Sequence, residues 1–375
     1  MKHGRRSVAC LFIVISLGSM VHTQPACRYT GPDAPLSKRF EWANGQARAK
    51  GWSDNFWIGY SIVKNMSQHS FIGSWSSDPE RNRPSLSEVI TGMRPAAEEH
   101  LTDGSMQGDF DGVCLDADTI GKGPSVQKEV GIVLHYAAGG KLRHVTVSNL
   151  TLHVDLAKAP LIWMNGISDS ESVQFLEQLY ANGDRDEVRK QIISAIGLHE
   201  SQGTGTEFLI NVLRQEDNAV LRKEAAFSLG QGGSGKGLQE LVYSAGHDAS
   251  REVRKEAIFG MSQVNREEAV DDLIKMAKEE KDVEVRKEAV FWLGQKATAK
   301  SISTLNEIVE NGDDAEVQKN AVFALSQLPG SGGMESMIRL ANGHENPVVR
   351  KAAIFWLGQS DDPKALDALI QIVKR

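Results

Sequence analysis

The sequence lacks the short motifs that mark the common enzyme classes. It contains no Gly-x-Ser-x-Gly, no Walker phosphate loop and no His-Glu-x-x-His, and its histidines show no metal-ligand spacing. Positive charge is not in excess either. The formal net charge is −7, which argues against a protein that neutralises nucleic-acid phosphates over its whole surface. We therefore predict no catalytic residue, no metal, no cofactor and no nucleic-acid partner.

Long apolar segments are absent after the first 23 residues. Within those residues, Lys2, Arg5 and Arg6 form a basic region, and residues 8–20 form an apolar stretch too short to cross a membrane comfortably. Residues 1–23 are therefore predicted to be a signal peptide. We expect the mature protein to be exported, periplasmic or secreted, with no stable membrane insertion after cleavage. An uncleaved N-terminal anchor is the alternative.

Cysteine is scarce, with three in the whole chain. Cys10 lies in the predicted signal peptide, which leaves Cys27 and Cys114. An even pair in an oxidising compartment makes one disulfide between them a candidate. The alternative is two unrelated free thiols.

Residues 24–165 differ from the rest because their apolar residues alternate as they do in β-strands. The predicted strands are residues 56–63, 130–137, 141–147 and 150–156. Ala138, Gly139 and Gly140 separate two of these strands and predict a hairpin turn. Residues 74–91 are polar and contain proline, which predicts a loop. We predict a small β-rich (α+β) domain of unknown role.

Four of the seven tryptophans lie in this region: Trp42, Trp52, Trp57 and Trp75. Such residues most often fill the core of a small domain. An exposed aromatic surface for sugars is the alternative interpretation.

One motif recurs every 32 residues in the second half of the chain. The copies begin at Leu221, Val253, Val285, Val317 and Val349, and each has lysine two and alanine four positions later. Each unit has the pattern of two helices, and no unit can bury its apolar face alone. Residues 166–375 are therefore predicted to form a mostly α architecture, an α-solenoid of about six helix pairs with a closing helix.

The repeat resembles the HEAT-like repeats of the phycobilisome-lyase type. The matching features are a Val-Arg-x-x-Ala core and a Leu-Gly pair late in the second helix, at residues 229–230, 293–294 and 357–358. The likeness covers residues 170–375 and implies the fold rather than an activity. Residues 57–60 and 163–168 loosely resemble exported bacterial HEAT-repeat proteins of unknown role.

Three positions of the second helix share one face of the solenoid. With the first motif residue as position 0, positions +2, +6 and +10 lie about one turn apart, away from the buried row at 0, +4 and +8. They hold lysine, phenylalanine and glutamine in every copy: Lys223, Phe227, Gln231, Lys255, Phe259, Gln263, Lys287, Phe291, Gln295, Lys319, Phe323, Gln327, Lys351, Phe355 and Gln359. We predict that these rows line the inner curve and bind a protein or an extended peptide. Packing between repeats, with no further role, is the alternative.

Arginine occupies position +1 in most copies: Arg189, Arg222, Arg254, Arg286 and Arg350. We predict a structural role for these arginines, in which they pair with acidic residues or carbonyl groups of a neighbouring repeat.

Two enzymes with similar repeats can be compared position by position. The repeat resembles that of deoxyhypusine hydroxylase, in which His-Glu pairs at +2 and +3 hold a di-iron centre. Here +2 is always lysine, whose ammonium has no lone pair for a metal, so that site is excluded. Bilin lyases also use similar repeats, but nothing in the sequence indicates a bilin pocket.

These observations favour a non-catalytic protein–protein interaction scaffold of the cell envelope. The competing hypothesis is an enzyme whose active site lies in the N-terminal domain. A deep pocket with converging His, Asp or Glu side chains there would favour the enzyme.

Overall fold

A computed structural model describes residues 26–52, 54–68, 70–75, 84–92, 110–114, 124–199, 203–328 and 331–374. The predicted signal peptide at residues 1–23 and the segment around Asp103, Asp109 and Asp116 lie outside the described residues. The chain divides into two compact units, Met1–Ile167 and Ser168–Arg375.

The N-terminal unit is a mixed sheet with two helices. Its described elements are β1 (Cys27–Arg28), α1 (Leu36–Ala49), β2 (Asn55–Ser67), β3 (Phe71–Trp75), α2 (Leu86–Thr91), β4 (Phe110–Cys114), β5 (Ser125–Ala137), β6 (Lys141–Asn149) and β7 (Leu161–Gly166). Five strands form one sheet in the order β1-β7-β2-β5-β6, and β3 pairs with β4 separately. The β1–β7 and β7–β2 pairs are parallel, and the β2–β5 and β5–β6 pairs are antiparallel.

The predicted hairpin is confirmed as β5 and β6, joined by a short 3₁₀ turn at Ala138–Gly140. Gly139 and Gly140 have φ of 78° and 69°, which glycine adopts without strain. The predicted strand at residues 56–63 is confirmed within β2, which is buried on both faces over most of that length. Burial on both faces explains why its sequence is continuously apolar instead of alternating.

The strand predicted at residues 150–156 is wrong. The alternation is real, since Leu152, Val154 and Leu156 are buried, but the segment is irregular and forms one isolated bridge, at His153. Its backbone exchanges hydrogen bonds with the region before and within α2, including Val154 N–H to the Pro84 carbonyl at 3.1 Å. Alternating burial therefore comes from a segment that packs against α2 rather than from a ladder.

Two helices in this unit are not apparent from the sequence. Part of the predicted loop at residues 74–91 is α2, which begins with a capping box between Ser85 and Glu88. The helix α1 buries little apolar surface beyond Leu36, Ala43 and Ala47, so its apolar pattern is weak.

Arg39 connects α1 to the sheet. It is 8% exposed, and its guanidinium donates to the carbonyl oxygens of Met164 and Gly166 at 3.0 and 3.3 Å. It also forms an ion pair with Asp33. The only buried arginine among the described residues of this unit therefore has a structural role.

The described tryptophans follow the core interpretation in part. Trp57 is 4% exposed and lies in a core cluster with Leu86, Val133, Leu161 and Trp163. Trp42 and Trp52 are half-buried, and the side chain of Trp75 lies outside the described residues.

Cys27 carries a free thiol in β1. The side chain of Cys114 lies outside the described residues, so a disulfide between Cys27 and Cys114 stays a prediction.

The C-terminal unit is a stack of antiparallel helices. In chain order these are α3 (Asp169–Ala181), α4 (Asp186–Gly197), α5 (Thr204–Gln215), α6 (Ala219–Gly232), α7 (Gly235–His247), α8 (Arg251–Gln263), α9 (Glu267–Glu279), α10 (Val283–Lys296), α11 (Ala299–Asn311), α12 (Ala315–Ser326), α13 (Ser331–Gly343), α14 (Pro347–Gly358) and α15 (Pro363–Val373). Each odd-numbered helix from α3 to α13 packs on the even-numbered helix that follows it. The described residues thus form six helix pairs with α15 as a further helix. None of the described helices is long and apolar enough to cross a membrane.

Second helices of neighbouring pairs contact each other more extensively than first helices do. The closest approach is between α6 and α8, where a Cβ added at Gly230 would lie 2.5 Å from the Cα of Gly260. Closer packing on one side is what the inner layer of a curved stack requires.

The contact at Gly230 generates a stability prediction. Gly230→Ala should lower the free energy of unfolding by about 1–3 kcal/mol, because α6 and α8 must move apart. Gly358 occupies the same position in the last pair, where an added Cβ meets nothing within 4 Å. Gly358→Ala should leave stability unchanged or raise it by up to about 1 kcal/mol. Urea unfolding of both variants tests the difference, and equal midpoints would contradict it.

Candidate partner-binding face

The second helices α4 to α14 each bury one row of residues and present another. Positions 0, +4 and +8, such as Val285, Ala289 and Leu293, are buried in every pair from α6 to α14. Positions +2, +6 and +10 are more accessible. The five glutamines at +10 are exposed, and the phenylalanines at +6 are half-buried except for Phe355, which is 56% exposed. The predicted residues therefore lie along one side of the stack, hereafter the ladder face.

Aromatic rings form a continuous chain along the ladder face. Phe227 stacks on Phe259 with ring centroids 5.9 Å apart, and Phe291 stacks on Phe323 at 6.3 Å. Between these two stacks lies Trp292, whose ring is 4.8 Å from Phe259 and 5.0 Å from Phe291. The aromatic chain thus crosses four helix pairs without a break.

Trp356 extends the chain to the fifth pair. Its ring is 4.9 Å from Phe323 and 5.0 Å from Phe355. Both tryptophans occupy position +7, which the sequence analysis did not assign to the face. Their recurrence 64 residues apart was a signal that would have found them.

Position +7 alternates between tryptophan and a small residue, so the ladder face has a period of two pairs. Small residues at +7 pack against glycine at +9 of the preceding pair, as Gly260 does with Gly230 and Ala324 with Gly294. Where +7 is tryptophan, the preceding +9 residue is serine: Ser262 before Trp292 and Ser326 before Trp356. In both serines the hydroxyl donates to the carbonyl of the phenylalanine three residues earlier.

Lysine at +2 forms ion pairs with glutamate at +3 of the following pair. Lys223 lies 3.8 Å from Glu256, and Lys255 lies 3.2 Å from Glu288. Lys190 makes the equivalent contact one pair earlier, 3.8 Å from Glu224. These pairs form a diagonal ladder of charges over the first four second helices.

The charge ladder ends after Lys255, because position +3 becomes Asn320 and then Ala352. The Asn320 amide donates to the Lys287 carbonyl oxygen at 2.7 Å and supplies no negative charge. Lys287 and Lys319 instead contact glutamates of their own helices, while Lys319 and Lys351 are exposed. The ladder face is therefore charge-paired towards α6 and has an excess of ammonium groups towards α14.

The same substitution changes the environment of the second tryptophan. The Trp292 indole N–H donates to a Glu288 carboxylate oxygen at 2.8 Å. Ala352 replaces that glutamate in the last pair, so the Trp356 indole lacks this acceptor.

Arginine at +1 connects neighbouring pairs from below the ladder face. Arg222 makes two hydrogen bonds to Asp248 of the following pair and one to the Glu216 carbonyl oxygen that ends α5. Arg254 bridges the Asp248 carbonyl oxygen and the Asp282 carboxylate in the same way. The further members of the row repeat this mode: Arg189 with Glu216, Arg286 with Asp313, and Arg350 with the His344 and Glu345 carbonyl oxygens. These contacts confirm the predicted pairing with acidic residues and carbonyls.

The positions that hold iron in deoxyhypusine hydroxylase are occupied here by the Lys–Glu charge ladder. Among the described residues, no three His, Cys, Asp or Glu side chains converge as a metal site. His199, outside the repeat register, donates from Nδ1 to the Ala195 carbonyl at 2.9 Å and lies 2.8 Å from the Ser172 hydroxyl. Its contacts are those of a residue that ends α4.

The architecture defined by these contacts is an α-solenoid with an inter-repeat Arg, Lys–Glu and aromatic network. Residues 206–294, 271–337 and 302–375 match the family model of HEAT repeats. The C-terminal helical stack therefore contains HEAT repeats, and the N-terminal sheet-containing region precedes it.

Similar solved structures include human deoxyhypusine hydroxylase in complex with glycerol, at 17% identity, 54% of this chain, 90% of that chain and a TM-score of 0.29. The complex of CpcE and CpcF of phycocyanin lyase from Nostoc sp. PCC7120 matches at 20% identity, 41% of this chain, 98% of that chain and a TM-score of 0.32. Superposition at these scores is too poor to carry an argument about function. A comparison with curated proteins gives no match.

Glu256, the middle carboxylate of the charge ladder, generates a pH prediction. Burial raises the pKa of its carboxyl, Lys223 opposes that shift, and Glu224 and Glu288 add to it. A raised pKa in the folded state means that stability contributed by the protonated form is lost as pH rises through that pKa. Glu256→Gln should therefore stabilise the protein at neutral pH, by less than about 1 kcal/mol.

The stabilisation should vanish at acidic pH, where wild-type Glu256 is itself protonated. Thermal unfolding at a series of pH values measures it. Glu316→Gln, which changes an exposed carboxylate on α12, is the control and should have no comparable effect. A loss of stability in Glu256→Gln at neutral pH would show that the Lys223 ion pair dominates instead.

Proposed function

We propose that this protein is a non-catalytic interaction scaffold of the cell envelope, and that its ladder face binds an extended segment of a partner protein. The single observation that carries the proposal is the unbroken aromatic chain with exposed glutamines and lysines beside it. HEAT repeats commonly bind proteins, which agrees with this role.

The chemistry of the face defines the partner. Rings of half-buried phenylalanine and tryptophan offer apolar contact to aromatic or aliphatic side chains. The exposed amides at +10 are able both to donate to and to accept from a peptide backbone. A strand without regular structure of its own has free backbone groups to meet them, whereas a helix has satisfied its own.

The spacing of the tryptophans adds a length. Helices pack about 8–10 Å apart, so two pairs advance by roughly 16–20 Å, which an extended chain spans in about five or six residues. A partner with apolar residues at that interval would match the two-pair period of Trp292 and Trp356.

Charge gives the partner a direction. Ammonium groups of Lys287, Lys319 and Lys351 lack the inter-pair carboxylates of the earlier lysines. Acidic residues of the partner are therefore expected to lie over α12 and α14, where the Trp356 indole also lacks the acceptor that Trp292 has.

The competing enzyme hypothesis requires catalytic groups that converge in the N-terminal unit. Its best placed titratable residue is His135, which lies 2.7 Å from Asn55 and stacks on Trp57. Burial, together with the nearby His144, lowers the pKa of His135. No acid or nucleophile joins it among the printed contacts of the described residues, so the scaffold is the function we favour.

Peptide selection tests the proposed face. Random peptides displayed on phage and selected on the full chain should converge on apolar residues with nearby acids. The double variant Lys319→Glu and Lys351→Glu should weaken the selected peptides at least tenfold, because it replaces two attractive charges by repulsive ones. Fluorescence anisotropy with synthetic labelled peptides measures the affinity.

The matched control has the same change of net charge on first helices, Lys278→Glu with Lys300→Glu. Those residues lie on α9 and α11, away from the ladder face, and this variant should bind as the wild type does. Phe291→Ala is a poorer probe because the ring packs between Trp292 and Phe323. Equal affinity in both charge variants, or no selected peptide, would contradict the proposal.

We also propose that the chain is exported, on the evidence of its first 23 residues. A fusion of residues 1–23 to alkaline phosphatase lacking its own signal should become active in the bacterial periplasm. The fusion with Lys2, Arg5 and Arg6 replaced by Glu is the control and should lose that activity. An inactive wild-type fusion would argue against export.

A further inference from the structure

The helix α15 exposes an apolar stripe. Leu366, Ile370 and Val373 lie at i, i+4 and i+7 on one side of the helix, and they are 62%, 43% and 86% exposed. Terminal elements of a solenoid normally present a polar outer face. A side that is apolar at the end of the stack therefore indicates a surface that is covered in the working protein.

The repeat shows what kind of element covers this stripe. Residues at the position of Val373 in the earlier first helices are no more than 4% exposed: Leu213, Ala245, Ala277, Val309 and Ala341. In each of those pairs, the second helix packs against the first and runs antiparallel to it. Among the described residues, α15 has no such second helix after it. The missing cover thus has the shape of one antiparallel helix.

The sequence of α15 is complementary to itself in that arrangement. In an antiparallel pair related by a two-fold axis at Ile370, Leu366 of one copy meets Val373 of the other. Asp367 and Lys374 are also seven residues apart and share one flank of the stripe. The same axis places Asp367 of each copy beside Lys374 of the other, so both the apolar stripe and the charges match.

We propose that the protein forms a two-fold symmetric homodimer in which the α15 helices of two copies pack antiparallel along this stripe. Each copy supplies the helix that the last pair of the other lacks, in an isologous contact that uses the same surface twice. The contact leaves the ladder face of each copy in place, so the dimer presents two such faces. The proposal is independent of what the ladder face binds.

Sedimentation velocity of the full chain over a range of concentrations tests the dimer. The wild type should show a concentration-dependent species of twice the chain mass. Ile370→Asp should abolish it, because two carboxylates would face each other at the axis in an apolar contact. Helicity should be unchanged, since Ile370 is exposed in the single chain. Val220→Asp removes a comparably exposed apolar residue from α6, 55% exposed, and should leave the dimer intact.

Charge exchange tests the geometry of the contact. Asp367→Lys alone and Lys374→Asp alone should each weaken the dimer by about tenfold, because each creates two like-charged pairs per dimer. An equimolar mixture of the two variants should restore it as a heterodimer, since every facing pair is then Lys with Asp. The double variant Asp367→Lys with Lys374→Asp should restore the homodimer.

A wild type that stays monomeric at all concentrations would overturn the proposal. A dimer that Ile370→Asp does not dissociate, or single charge variants that the mixture does not rescue, would also overturn it. None of these results bears on peptide binding at the ladder face, so the two proposals fail separately.

Discussion

Second helices of neighbouring pairs approach to backbone distance, and most of what the helical unit presents to solvent depends on that contact. Gly230 and Gly260 have no side chain between their helices, and Gly294 approaches Ala324 in the same way. Such an approach allows one relative position of the helices. It therefore keeps lysine, phenylalanine and glutamine in step from one pair to the next, and a face with straight rows results.

The aromatic chain shows how a small change in that contact changes the face. Serine instead of glycine at +9 accompanies tryptophan at +7 of the next pair, and the indole then lies between two phenylalanine rings. Two kinds of junction alternate, so the structural period is twice the 32-residue period of the motif. A partner that contacts the rings meets different surfaces at odd and even junctions.

Electrostatics divides the same face into two parts. The Lys–Glu ladder neutralises its first half and leaves little free charge for a partner. Loss of glutamate at Asn320 and Ala352 leaves the second half cationic although the net charge of the chain is −7. Composition therefore says little about the charge that a partner encounters, which depends on whether each lysine has a carboxylate one pair further on. The arginines at +1 lie deeper and are satisfied by carbonyls and carboxylates throughout, so they contribute to stacking rather than to recognition.

The sequence by itself determined the repeat, its helix pairs and the face on which Lys, Phe and Gln lie, because a helical period transfers directly into a row of neighbours. It also determined the β5–β6 hairpin, where Gly139 and Gly140 permit the turn. Only the tertiary structure decided that residues 150–156 lie against α2 instead of in a ladder, since alternating burial arises in either case. It alone revealed α1, whose anchor is a buried arginine rather than an apolar stripe. The roles of Trp292 and Trp356 and the exposed stripe of α15 depend on which surfaces of separate helices meet, and that is a property of packing between elements that local periodicity does not contain.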